Sequence, residues 1–174
     1  MEGVVRQAEL VADIVDDAQL LLAAAWLYDV GYGPKLARTG FHPVDGADFL
    51  EEQGAPARLC ALVANHSCAQ VEARHRGVDI EWPDECTLLQ DALWWADMTI
   101  TPTGATTDVP SRIAEVRQRY GPDHVVSASV AEAEPQLLRH AVDPGVRGMF
   151  PPVAGSDHGV DLLVRAQNRA RLAY

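Results

Sequence analysis

Four side chains of this sequence have the chemistry of metal ligands and fall where helices end or turn an apolar face inward: Asp29, His42, His66 and Asp97. A carboxylate at the terminus of an apolar helix is costly unless it is paired, hydrogen-bonded or bound to a cation. Several such groups beside inward-facing imidazoles therefore point to one shared polar centre. Mixed His and Asp ligation suits Fe, Mn, Zn or a similar divalent ion better than Ca. Taken singly, each residue has a plainer reading: Asp29 and Asp97 as acceptors of backbone hydrogen bonds at helix ends, His66 as a satisfied core histidine.

The elements that must position these residues can be read from periodicity and caps. Val4, Val5, Ala8, Leu10, Val11, Ile14 and Val15 recur at helical spacing and predict a first amphipathic helix from Gly3 to Val15. Asp17 can cap a second, apolar on nearly every face from Leu20 to Leu27, which places it in the centre of the core. The run Gly31-Tyr32-Gly33-Pro34 ends it, so Tyr28 and Asp29 sit on its last turn. A helix from about Val44 to Glu52 puts His42 just before its start.

Pro56 opens a further helix in which Leu59, Leu62, Val63 and His66 share one face, turning His66 inward with the leucines. Gly77 to Pro83 reads as a loop, and a long apolar helix follows from about Glu85 to Met98, closed by Asp97. Thr99 to Pro110 reads as a loop, with helices near Ser111 to Tyr120, capped by Ser111, and Val125 to Ala141. An extended segment over Val142 to Asp157 and a last helix from Gly159 to Ala173 complete the expectation. No strand or βαβ alternation is legible, so the predicted class is all-α, a single-domain helical bundle over residues 1–141 with a C-terminal segment and helix over 142–174.

Composition narrows the functions. With 174 residues, 48% hydrophobic and 22% charged, the chain can bury one core. A formal net charge of -11 disfavours nucleic acid and anionic membrane surfaces as partners. An anionic small substrate stays compatible, because a bound cation dominates the potential inside one cleft. No run reaches the roughly 18 apolar residues of a membrane span, and the start carries no signal-peptide pattern, so a cytoplasmic protein is expected. Cys60, Cys68 and Cys86 lack CxxC spacing and read as inert thiols. His75, His124, His140 and His158 read as surface, and of the adjacent Trp94 and Trp95 one is expected in the core and the other partly exposed.

The segments LLLAAAWLYDVGYGP, TGFHPVDGADFL, RLCALVANHS and ALWWADMTITPTG resemble, in this order, the successive motifs of bacterial HD-domain proteins, over roughly Gly3 to Ala141. The resemblance implies a helical bundle in which histidines and aspartates hold one or two metals for hydrolysis of phosphate esters. Asp29 matches the Asp of the His-Asp pair, His42 and His66 the two intermediate histidines, and Asp97 the late Asp. Two positions depart from the pattern. Tyr28 stands where the pair has its histidine, and the first helix contains none, a residue either lost or upstream of Met1. The position served by Asp29, His42 and His66 is thus the better preserved, and Tyr28 is expected to hydrogen-bond rather than ligate.

A retained ion (Mn, Fe, Ni, Co, Zn or Mg) would polarise a phosphoryl oxygen and activate a water. Asp29 would orient that ion, and Lys35 is a candidate contact to the substrate phosphate. The expected partner is a small phosphorylated molecule. The alternative is a degenerate HD domain that keeps the fold and acts as a binding or dimerisation module, with a homodimer left open. An oxidative di-iron enzyme would need more ligands than the chain shows.

Overall fold

The computed structural model describes residues 2–142. The expected extended segment, apart from Val142, and the expected last helix with His158 lie outside the described residues, as does the side chain of His140. Eight α-helices occur among the described residues: α1 (Glu2–Leu10), α2 (Ala18–Leu27), α3 (His42–Glu52), α4 (Ala57–Ala64), α5 (Ala69–Arg76), α6 (Leu88–Met98), α7 (Val109–Tyr120) and α8 (Val125–Val142). The extended pairing there is a single bridge between Ile100 and Thr106, so the fold is all-α.

The starts of several helices follow from local chemistry. Asp17 caps α2 by accepting from the Leu20 amide at 3.0 Å, as its side chain suits. Thr87 caps α6 through the Gln90 amide. The cap of α7 is Asp108, which accepts from both the amide and the hydroxyl of Ser111, so Ser111 lies inside the first turn rather than before it. The first helix also stops sooner than its periodicity suggested. A 3₁₀ turn at Ala12–Ile14 follows Leu10, because a tighter last turn satisfies terminal carbonyls that the acidic run beyond cannot keep helical.

The central helix is α6. Leu89 through Ala96 are all buried, and α6 packs on α1 and α2 from one side and α8 from the other. Leu89, Leu93 and Trp95 join the main core with Val4, Leu21, Leu62 and Val63, whereas Trp94 and Met98 join a second core with Ile113, Val130 and Leu137. Both tryptophans are therefore buried, against the expectation that one would be partly exposed: they face opposite sides of a helix that is covered on both. The apolar α2 instead lies nearer the edge, with Leu21, Ala24 and Ala25 fully buried and Trp26 exposed.

The stretch from Pro56 to Arg76 is two helices, not one. Between them the chain turns at Asn65 to Cys68, with Ser67 at φ +50°. The buried Asn65 side chain donates to the carbonyls of Ala61, Trp82 and Pro83, and the Asn65 backbone carbonyl accepts the Trp94 indole N–H at 2.9 Å. Cys60 and Cys68 are buried and Cys86 is exposed. Among the described residues no helix is long and apolar enough to cross a membrane.

Candidate metal centre

Three chain turns converge on one point. The first is the end of α2, where Tyr28 closes the helix and Asp29 begins the 3₁₀ turn Val30–Tyr32. That turn touches α3 backbone to backbone. A Cβ on Gly31 would lie 2.0 Å from the His42 carbonyl oxygen and 2.6 Å from the Gly46 nitrogen, so only glycine permits the approach.

The second turn delivers His42 as the first residue of α3. Its shape is held by Asp45, which is buried and accepts from the Thr39 amide and hydroxyl, both at 2.8 Å, and from the Gly40 amide at 3.1 Å. The third is the break after α4. His66 does lie inward, 4% exposed, but two residues beyond the helix that was expected to carry it. Its Nδ1 donates to the Val63 carbonyl at 2.7 Å in the neutral ring, which leaves Nε2 bare and fixes the ring's direction.

There the His42 and His66 Nε2 atoms stand 3.1 Å apart, and an Asp29 carboxylate oxygen is 3.5 Å from His42 Nε2. One ligand atom from each of the three lies within 4.8 Å of the others. For an ion about 2.1 Å from each atom, the two measured separations subtend angles of about 95° and about 113°, within the range that octahedral and tetrahedral ions accept. The trio thus fits a divalent ion. Burial, with His66 and Arg76 adding to it, pushes His42 down to about 2 from its ordinary 6.5. A neutral imidazole is the form that ligates, so the contact between His42 and Asp29 is two ligand atoms side by side rather than an ion pair.

Asp97 lines the same cleft but stands outside the trio. It accepts from the Ser67 hydroxyl at 2.5 Å, and the Tyr28 phenol, 5% exposed, is the electrostatic neighbour of both Asp97 and Asp29. Burial and these two carboxylates hold the phenol well above its usual range, so it stays protonated. Asp29 is raised in turn by burial and by Asp97. Tyr28 also meets His66 edge to face, ring centroids 5.1 Å apart, and Tyr32 stacks on His42 at 3.9 Å.

The trio opens into a cleft of about 680 Å³. Lys35 is exposed and is not among its lining residues. The cations that do line it are Arg6, Arg112 and Arg119. Sequence reasoning passed over them, although Arg112, Val116 and Arg119 share one face of α7 at i, i+4 and i+7 spacing. It passed over Asp45 as well, whose only signal was its place one turn into the helix begun by His42.

Comparison of the chain with protein-family models, with curated proteins and with solved structures found no match. What fold and site together define is an all-helical protein with an Asp-His-His group able to hold a metal ion.

Proposed function

We propose that the chain is a metal-dependent phosphohydrolase of the HD type, acting on a small phosphate ester or nucleotide. The supporting observation is the convergence of Asp29, His42 and His66, from three separate turns, with ligand atoms spaced for a single ion. These three residues would hold the ion, which when bound supplies Lewis acidity and a water of lowered pKa. His66 is oriented by its bond to Val63 and His42 by the Asp45-braced turn and the Tyr32 ring, with the Tyr28 phenol beside Asp29. The cleft admits a ligand beside the trio, and its arginines offer charge-assisted donors to phosphate oxygens.

Elemental analysis of the purified chain, followed by a generic phosphatase assay with added Mn, Ni or Co, tests the reading. About one ion per chain and metal-stimulated release of phosphate are expected, both lost in His42→Ala and His66→Ala. Absence of metal together with absence of phosphate release refutes it.

One observation favours a second reading, a degenerate HD domain that binds rather than hydrolyses. The Ser67 hydroxyl donates to Asp97, with the Tyr28 phenol as its neighbour, and only three of the four expected ligands gather. On that reading Tyr28→His leaves metal content unchanged, whereas recovered metal and phosphatase activity mark simple ligand loss.

A further inference from the structure

The wall of the cleft formed by α7 carries chemistry that the trio does not use. Arg112 and Arg119 both line the cleft and both pair with one carboxylate, Glu115, which lies between them on the helix. A single Glu holding two guanidiniums keeps them together against their mutual repulsion and leaves the group with net positive charge. Arg6 adds a third guanidinium from α1, while Glu2 and Glu72 line the cleft with the Asp29 and Asp97 carboxylates at its centre, so the positive charge is local to the face that α7 presents, on a chain whose formal net charge is -11.

The placement of this positive wall is specific. The Arg112 side chain is only 13% exposed, and one of its donors, Nε, has no hydrogen-bond acceptor among the described residues. The Arg119 guanidinium lies over the Tyr120 ring at 5.0 Å, which fixes its direction. Tyr120 in turn is an electrostatic neighbour of Tyr32, the residue stacked on His42, so the arginine wall and the trio address one volume. Arginine pairs with this planar fork geometry suit phosphate better than a single carboxylate does, because each guanidinium presents parallel N–H donors.

We propose that Arg112 and Arg119 form a phosphoryl subsite separate from the metal trio. It takes the non-reacting phosphoryl group of a ligand whose other phosphoryl group lies at Asp29, His42 and His66. The substrate class is then a small molecule bearing two phosphoryl groups. Glu115 is a positioning residue that a bound phosphoryl group competes with for the two guanidiniums. This inference rests on the hydrolase reading for the group at the trio, but the subsite itself does not.

Calorimetric titration of inorganic pyrophosphate into the full chain as purified, and into His42→Ala, tests it. Binding is expected in both, because the subsite does not depend on the trio. Arg119→Gln weakens it by about tenfold, the loss expected for a charge-assisted contact. Glu115→Gln, which removes the competing carboxylate, tightens it, and this opposite shift excludes mere unfolding as the cause. Circular dichroism of each variant checks the fold. No binding by the unaltered chain, unchanged affinity in Arg119→Gln, or complete loss in His42→Ala overturns the subsite. Pyrophosphate binding that follows this pattern in a chain with neither bound metal nor phosphatase activity would leave the subsite standing and the hydrolase reading refuted.

Discussion

Replacing Gly31 by alanine should damage both stability and metal binding, and the size of the effect follows from the backbone around it. The new Cβ would meet the His42 carbonyl oxygen at 2.0 Å, the Gly46 nitrogen at 2.6 Å and the His42 carbonyl carbon at 2.9 Å. All three are backbone atoms, so no rotamer change relieves the clash, and the 3₁₀ turn and α3 must separate by roughly 1 Å or more. Overpacking in a tight core costs about 1–3 kcal/mol, and the upper end applies where only backbone can yield. For a domain of this size that is a fall in Tm of roughly 10 °C. The same separation pulls His42 away from Asp29, so affinity for Mn or Zn should fall by about tenfold or more, since loss of good ligand geometry costs that much.

Two other glycines serve as controls in thermal melts and metal titrations. At Gly33 the nearest contact is the flexible Leu36 side chain at 3.2 Å, with the Val30 carbonyl oxygen at the same distance, so alanine should cost well under half as much as at Gly31. Gly40 has open space around its Cβ position but φ +75°, so alanine there should cost about 1–2 kcal/mol from backbone strain alone. Wild-type Tm and wild-type metal affinity in Gly31→Ala would refute the claim that this contact sets the geometry of the trio.

Further outcomes are expected. Addition of a binding divalent ion at about a hundred times its Kd should stabilise the chain by about 2.7 kcal/mol, reversed by EDTA, and scanning calorimetry would detect it. Asp45→Ala leaves the Thr39 and Gly40 amides without their acceptor and should cost about 2–4 kcal/mol in urea unfolding while weakening metal binding, because the turn that delivers His42 loosens. In the metal-free chain His42 is held neutral, down to about 2 against 6.5 when unfolded. Below pH 6.5 the unfolded state therefore binds a proton that the folded state refuses, and stability present above that pH is lost as it falls. The loss should be about 1 kcal/mol between pH 6.5 and 5.5, read as the difference in urea midpoints between the chain and His42→Gln. Trp94→Phe removes the donor to the buried Asn65 carbonyl and should cost about 1–3 kcal/mol, with a shift in the turn that carries His66.

Much of the fold was legible in local chemistry. The Asp17 cap, the stop at Gly31 to Pro34, the opening at Pro56 and the apolar run of α6 each depend on residues near in sequence, and each lies within a few residues of its expected place. The break between α4 and α5 was not. It contains no glycine or proline, and what turns the chain there is the Asn65 amide reaching Trp82 and Pro83, seventeen and eighteen residues on. The same holds for Trp94, buried because α8 covers the side of α6 that α1 and α2 do not.

For the candidate site the division is sharper. Sequence alone determined which side chains have ligand chemistry, that Asp29 and His42 stand at the ends of helical segments, because helix termini are written in caps and breakers, and that His66 lies inward with the apolar residues around it. Tertiary structure alone decided that these three gather while Asp97 accepts from Ser67, and that Arg112 and Arg119, not Lys35, line the cleft. The physical reason is range. Caps and periodicity act over one or two turns, whereas the approach of two ligand atoms to 3.1 Å is set by how whole helices pack, down to the Cβ that Gly31 lacks.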